Sequence, residues 1–366
     1  MMSKAMKYLL SAALVCAAAG ILLNPAELSG AVKISVSGCL EVVIPALFAF
    51  TVLSVYMQQS GLYRTALRPL TFPLSKLLGI PEELCAVFLL ANIGGYPVGA
   101  RLLSGLVSSG RLSRKNAGRM LCCCYGSGPS FVIGTAGMQV LGSAAAGGVL
   151  FGACFLSSLV MAVIICRTGE KITLEDNTAG CDLSADCFIR SVDSGARVMY
   201  TICVMSAAFS AVTALLNTAG ITGLAAKLLS LAGAGGNADR ILPAFLEVTR
   251  VRELVPEGAA APLCAGLLSF GGVCVLMQIT AVSGGTVPVK PLVISRIPAA
   301  VMSAVFAIPA GMIATPATEV YSANAAQGEF SSVNAGMSVC VMIMAGILIY
   351  SVEKERYRSE CGRKRP

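Results

Sequence analysis

Long apolar runs, interrupted by short clusters of glycine, proline and charge, are the dominant pattern along this chain. Eight stretches read as full membrane crossings: Tyr8–Leu23, Cys39–Met57, Asn116–Leu141, Ala144–Cys166, Val198–Asn217, Pro262–Val282, Ile297–Thr315 and Val333–Val352. A crossing helix needs about 20 apolar residues at about 1.5 Å rise each. Two further runs are too short. Leu84–Ile93 leads into Gly94-Gly95-Tyr96-Pro97-Val98-Gly99-Ala100 and then into a second apolar run, Leu102–Ser108. Ile241–Val248 is likewise short and is followed by Arg250 and Arg252. Both read as re-entrant hairpins, because non-helical backbone at membrane depth survives only where protein buries it or a wet cavity takes it up.

Charge sets the orientation. With the amino terminus in the cytoplasm, 22 of the 27 Lys and Arg fall on cytoplasmic segments, and only Lys33, Lys227, Arg240, Arg250 and Arg252 fall outside. This is the bias of the positive-inside rule, and treating either hairpin as a full crossing destroys it. Both termini are therefore expected in the cytoplasm, with the basic tail after Val352 near anionic headgroups. The first apolar run also has the form of a signal peptide, but no small-residue cleavage site leads into a soluble domain, so an uncleaved helix is the preferred reading.

Composition narrows the class. The chain of 366 residues is 56% hydrophobic and 13% charged, with mean hydropathy +0.78. Soluble domains carry about 25% charged residues, so a soluble enzyme, a disulfide scaffold and a disordered protein are all poor fits. Net charge is +8, but no basic run is interleaved with aromatics, and nucleic-acid binding has no support. There is no His, hence no catalytic triad, and there is no P-loop. No enzymatic activity and no cofactor are expected. The 15 Cys are scattered through apolar runs, where they act as small hydrophobes. Cys122, Cys123 and Cys124 are adjacent, which spreads them around a helix rather than aiming them at one metal.

The two halves repeat one order of parts: helix, amphipathic stretch, hairpin, broken helix, clean helix. Gln59-Ser60-Gly61-Leu62 answers Thr218-Ala219-Gly220-Ile221, and Gly126-Ser127-Gly128 answers Ser269-Phe270-Gly271-Gly272. The expected organisation is a first helix and loop over 1–36, repeat one over 37–166, a cytoplasmic linker over 167–196, repeat two over 197–315, and an outer loop, last helix and basic tail over 316–366. The linker carries six acids and no apolar run. In this topology the hairpins enter from opposite faces. The fold class is thus an all-α integral membrane protein of two inverted-topology repeats with re-entrant hairpins, broken helices and about eight spans. Inverted repeats with interrupted helices at mid-membrane describe secondary transporters. Close helix packing is the alternative source of the glycines.

Polar groups within apolar runs mark the candidate site. Glu41 lies near a helix end, within reach of headgroups. Glu247, in Phe245-Leu246-Glu247-Val248-Thr249-Arg250, sits at the expected tip of hairpin two. It either binds solute, cation or proton, or pairs with Arg250 or Arg252; Thr249 stands beside it. Hairpin one offers Asn92, Gly94, Gly95, Tyr96 and Gly99, where glycine lets backbone approach a ligand and Pro97 frees the carbonyl of Ile93. The broken helix offers Ser127, Gly128 and Ser130, ahead of a new helix start suited to an anion, with Arg101 as a further positive charge. The second break offers Ser269, Gly271 and Gln278. No metal ligand is assigned.

The runs Asn92–Arg101 and Gly126–Thr135 resemble the YlbJ family of sporulation integral membrane proteins, within the Gate or nucleoside-recognition superfamily of membrane proteins. Phe245–Thr249, Leu268–Gln278 and Lys290–Arg296 fit its second repeat, so the resemblance spans about 37–315. It implies paired re-entrant hairpins holding a small anionic or nucleoside-like solute, with a dipicolinate-like metabolite as one instance in spore-formers. Leu276 stands where relatives carry a His, and Arg250 and Val251 stand where a Gly is common. The expected function is a secondary transporter or facilitator in the bacterial cell membrane. Its partners are a small-molecule solute and membrane lipid, with a homo-oligomer and the coupling ion left open. The alternatives are a non-transporting scaffold and a metal-permeation subunit.

Overall fold

The computed structural model describes residues 4–175, 182–231 and 233–313. Every regular element among them is helical. In chain order the α-helices are α1 Lys4–Leu23, α2 Pro25–Gly38, α3 Ile44–Ser60, α4 Tyr63–Ala66, α5 Arg68–Leu78, α6 Glu82–Gly94, α7 Tyr96–Ser108, α8 Arg114–Leu121 and α9 Pro129–Phe131. They continue as α10 Ala144–Arg167, α11 Ala185–Thr218, α12 Ile221–Leu231, α13 Ala238–Leu246, α14 Ala260–Phe270, α15 Gly272–Val282, α16 Lys290–Phe306 and α17 Ile308–Ile313. Two π-helical segments, Cys39–Val43 and Val132–Val140, join α2 to α3 and prolong α9.

Four helical runs among the described residues are long and apolar enough to cross a membrane: Ala144–Arg167, Ala185–Thr218, Ala260–Val282 and Lys290–Ile313. The number rises to six if the bent pairs Leu14–Leu23 with Pro25–Glu41 (92°) and Arg68–Leu78 with Glu82–Gly94 (108°) each count as one span. This is fewer than the eight expected from hydropathy. The expected span Val333–Val352 and the loop and tail of 316–366 lie outside the described residues. Asn116–Leu141 is not one helix: Cys122–Gly128 breaks it, because Gly128 takes φ 75° and Pro129 opens a new turn. The expected loop ahead of residue 37 is helical, since Pro25 starts α2 and helix runs on to Ser60. The expected linker is shorter than 167–196. Ser184 caps α11, its hydroxyl accepting from the Cys187 amide at 3.2 Å, so α11 already includes Ala185–Ala196.

Hairpin one is a helix–break–helix unit. Gly95 at φ 99° turns the chain, and α7 folds back on α6 so closely that a Cβ on Gly99 would lie 3.0 Å from the Ala91 Cβ. Its open end is clamped by Arg111, whose Nη1 and Nη2 donate to Glu83 at 2.8 and 2.6 Å. The second unit is lopsided. α13 stops at Leu246, Glu247 is extended at φ −134°, ψ 110°, and only a 3₁₀ turn, Val248–Glu253, follows.

Small residues draw the long helices together, as expected where lipid offers no hydrophobic drive to association. The Ser157 hydroxyl on α10 donates to the Ala299 carbonyl on α16 at 2.8 Å, and Ser303 on α16 donates to the Ala265 carbonyl on α14 at 3.2 Å. Gly137 of the second π segment lies directly on Gly147 of α10. On the other side of the molecule α11 packs on α2 and α3, around Cys39, Val43, Val198, Met199 and Ile202.

Each break leaves carbonyls without a helical amide, and side chains cap them, several from the opposite half. The Tyr96 hydroxyl donates to Leu268 O at 2.6 Å, and the Tyr125 hydroxyl to Phe270 O at 2.8 Å. Arg296, 1% exposed, donates Nη1 to Ser269 O at 3.4 Å and Nη2 to Cys122 O. Its guanidinium lies 4.6 Å from the centre of the Tyr125 ring. Asn92 Nδ2 donates to Phe88 O at 2.8 Å and to Cys123 O at 3.2 Å. The charge pattern had placed Arg296 on a cytoplasmic segment; it lies instead in the interior, where it ties the two halves together.

Two stability predictions follow from these contacts. Gly99→Ala should destabilise the detergent-solubilised protein by about 1–3 kcal/mol, since its Cβ would run into the Cys124 carbonyl. Gly148→Ala, with nothing within 4 Å, should not; thermal unfolding compares the two. Tyr96→Phe should cost about 1–3 kcal/mol by stranding one carbonyl. Arg296→Met, which strands two, should cost more than Tyr96→Phe in the same assay.

Candidate functional site

A cavity of about 640 Å³ opens between α2, the two π segments, α11, α12 and the Glu247 break. Both π segments contribute to its wall, Cys39 and Val43 from one and Thr135 and Gln139 from the other. Such bulges recur at functional sites because the looser turn displaces side chains from helical register. Charges gather around this cavity: Glu27, Asp239, Glu247 and Glu253, with Arg250 and Arg252.

A second, smaller pocket of about 40 Å³ shares Val43, Phe131, Glu247 and Thr249 with the large cavity. Tyr96 and Pro97 reach it from hairpin one, Ser127 from the first broken helix, and Cys274 and Gln278 from the helix after the second break. Parts of all four interrupted elements thus meet here. The convergence follows from the carbonyl caps, which hold hairpin one against the second break and so set Tyr96 beside α15.

Glu247 is buried, 4% exposed. Its carboxylate accepts from the Ser210 hydroxyl at 2.9 Å and from the Thr249 hydroxyl at 2.7 Å. Arg250 stands beside it as an ion-pair partner. The Arg250 Nε lies 3.9 Å from Oε2, while Nη1 bonds Glu253 at 3.2 and 3.3 Å. The charge is therefore held by the two hydroxyls together with the Arg250 guanidinium, at the wall of the cavity. Gln278 is also buried, its amide donating to Cys274 Sγ at 3.3 Å.

Of the residues singled out from sequence, Tyr96, Ser127, Glu247, Thr249 and Gln278 are brought together at the small pocket. Asn92, Ser127 and Ser269 line a neighbouring cleft of about 10 Å³, where Asn92 is occupied by backbone carbonyls. The expected site glycines lie against neighbouring protein. Gly99 faces the Cys124 carbonyl, Gly128 faces Ile93 O, Gly94 faces Val98 and Gly271 faces the Tyr125 hydroxyl. Gly95 supplies the turn itself and has Leu47 against it. They let one stretch of backbone approach another. Ser130 is half-buried and lines neither pocket.

Arg101 turns away from the pocket, its Nε donating to Ser194 at 2.6 Å. Glu41 is exposed and accepts from Ser37 at 2.6 Å. Cys122 and Cys123 are buried, with thiols directed at the Gly118 and Met120 carbonyls. No group of three potential metal ligands gathers among the described residues.

Sequence reasoning missed Ser210, Ser206, Thr135 and the role of Arg296. Ser210 lies in an ordinary apolar helix run, and only tertiary packing points it at Glu247. A lone Arg within Ser295-Arg296-Ile297-Pro298 was legible as an intramembrane charge, had the span been started at Lys290, where α16 begins.

No protein-family model matches the chain, and no solved structure matches it. Among curated proteins, the sporulation integral membrane protein YlbJ of Bacillus subtilis (strain 168) is 27% identical over 156 residues. The match covers 42% of this chain and 38% of that relative, so it spans well under half of either protein. It agrees with the resemblance carried by the glycine–proline motifs. The protein is a helical membrane protein and, over that stretch, a distant homologue of YlbJ.

Proposed function

We propose that this protein is a secondary transporter or facilitator for a small anionic or nucleoside-like solute, serving sporulation as the name of its relative indicates. One observation carries the reading: four interrupted helices converge on a small, mostly apolar pocket that adjoins a 640 Å³ cavity, with Glu247 and Thr249 lining both spaces. Discontinuous helices meeting at a binding site are the working parts of secondary transporters. An ionisable group buried in a membrane protein and facing such a space is functional by default.

Further features support the reading. New helix turns begin at Pro129 and at Gly272, beside the residues that line the pocket, and helix starts favour negative charge. The finer topology belongs to the same proposal: two inverted repeats, re-entrant hairpins from opposite faces, about eight spans and both termini cytoplasmic. The repeat is supported by matched punctuation. Gly61 at φ 77° closes α3 and Gly220 at φ 74° follows α11, each ahead of a short helix and an interrupted unit. The dipicolinate-like solute comes from the motif resemblance; Arg250 and Arg252 line the cavity together with Glu27, Asp239, Glu247 and Glu253.

Uptake of radiolabelled dipicolinate and of nucleosides into proteoliposomes tests the function. Ser127→Leu and Glu247→Ala should each lower uptake by about tenfold or more, the equivalent of about 1.4 kcal/mol. Transport left intact in both variants would place the site elsewhere. Orientation is tested separately with Ser109→Cys and Ser230→Cys in a cysteine-free background. A membrane-impermeant maleimide should label position 230 in intact cells and position 109 only after permeabilisation. Labelling of both from one side overturns the inverted arrangement.

A further inference from the structure

We propose that the cleft between α3 and α7, the second helix of hairpin one, is a binding site for a phosphoryl oxyanion, with the Arg101 guanidinium as its anchor. The cleft shares no lining residue with the cavity or the small pocket described above, and its role stands whether or not the protein is a transporter.

A guanidinium drawn out of water needs a counter-charge or a set of carbonyl acceptors. The other buried or half-buried arginines among the described residues have one or the other. Arg111 and Arg250 pair with carboxylates. Arg119, Arg240 and Arg296 donate to backbone carbonyls. Arg101, half-buried on α7, has neither. Its Nε donates at 2.6 Å to the neutral hydroxyl of Ser194 on α11. Among the described residues no acceptor meets its Nη1 or Nη2. The edge left open is the planar two-donor fork that matches an oxyanion.

Arg101 lines a cleft of about 260 Å³. Val55, Leu102 and Leu106 give it an apolar wall, Gly105 adds no side chain to fill it, and no carboxylate lines it. The second arginine of the lining, Arg111, already has both Nη groups on Glu83. The acids on the adjoining stretch have basic partners of their own: Asp182 with Arg190 at 3.4 Å and Asp193 with Arg197 at 2.9 Å. The uncompensated charge of the cleft is therefore positive and belongs to Arg101.

Gln59 brings a further donor from the end of α3. Its side-chain oxygen accepts from Ser191 at 3.5 Å, and its NH₂ has no acceptor among the described residues. Donors thus address one space from two helices. That suits a tetrahedral group with oxygens on several sides better than a flat carboxylate. The headgroup of an anionic phospholipid and free phosphate share this chemistry. The apolar wall suits the glycerol part of a lipid, and basic pockets between membrane helices recognise such headgroups.

The test uses the full-length protein purified in a neutral detergent. Inorganic phosphate and dioctanoyl phosphatidylglycerol are the separate probes, with chloride at equal ionic strength as the control. Binding raises the unfolding temperature, and native mass spectra count the retained lipid. At least one probe should bind the wild type, and Arg101→Gln and Gly105→Leu should each weaken that binding by about tenfold or more. Gly105→Leu keeps the charge but fills the cleft, since a Cβ there meets only Gln58 Oε1, at 3.8 Å. Binding of inorganic phosphate assigns the site to the free anion; binding of the lipid alone assigns it to a headgroup. A wild type that binds neither probe above the chloride control overturns the proposal, as does binding that either variant leaves unchanged. Phenylglyoxal, which modifies open guanidinium groups, gives a readout that needs no variant. Its reaction at Arg101, mapped by peptide mass spectrometry, should slow about tenfold once the probe is at about ten times its Kd. An Arg101 modified equally fast with and without probe also overturns the site.

Discussion

A helix that is broken inside a membrane exposes backbone carbonyls to a medium that cannot hydrogen-bond them. Each bare carbonyl costs more than a typical hydrogen bond returns, so protein groups must cover it. This constraint organises the molecule. The carbonyls of Cys122, Cys123, Leu268, Ser269 and Phe270 belong to two breaks about 145 residues apart in sequence, a span that the Tyr125-to-Phe270 bond closes. They are met by Tyr96, Tyr125, Asn92 and Arg296. Three of these four donors reach across from one half of the chain to the other. The breaks and the packing of the halves are thus one arrangement, since neither is stable without the other.

Arg296 shows how this works for a charge. A lone guanidinium in an apolar interior is costly. Here carbonyl dipoles at two helix breaks and the face of Tyr125 surround it, together with the Ser295 hydroxyl at 3.3 Å. Carbonyls at the end of a helix carry the negative end of its dipole, so the breaks act as distributed counter-charge. The planar fork suits this better than an ammonium, because it donates along separate directions to separate carbonyls.

The same caps position the candidate site. By tying Tyr96 to Leu268, the structure sets the tip of hairpin one beside the start of α15, and Gln278 and Glu247 come within one small pocket. Glycines make the approach short enough. A side chain at Gly99 would strike the Cys124 carbonyl, and one at Gly271 would strike Tyr125. Glu247 differs from the buried Arg: two hydroxyls hydrogen-bond it, Arg250 stands 3.9 Å away, and a cavity reaches it.

Much of this architecture was written locally in the chain. Glycine and proline interrupt helices wherever they fall, so the breaks at Gly95 and Gly128 and the short reach of the two hairpins could be read from residue type and run length alone. The long apolar runs Ala144–Cys166 and Pro262–Val282 likewise reappear as helices within a few residues. Other features depended on distance in space. Hydropathy averages across interruptions, so it could not see that Cys122–Gly128 divides one of the expected spans. It marked Glu247 as unusual but left open whether Arg250 pairs with it, because Glu253 is within equal reach in sequence; in the 3₁₀ turn Arg250 pairs with both. Ser210, 37 residues before Glu247, and the carbonyls that hold Arg296 carry no local signal at all. Which donor meets which acceptor across the two halves is fixed by the packing of whole helices, and that packing was decided only in the tertiary structure.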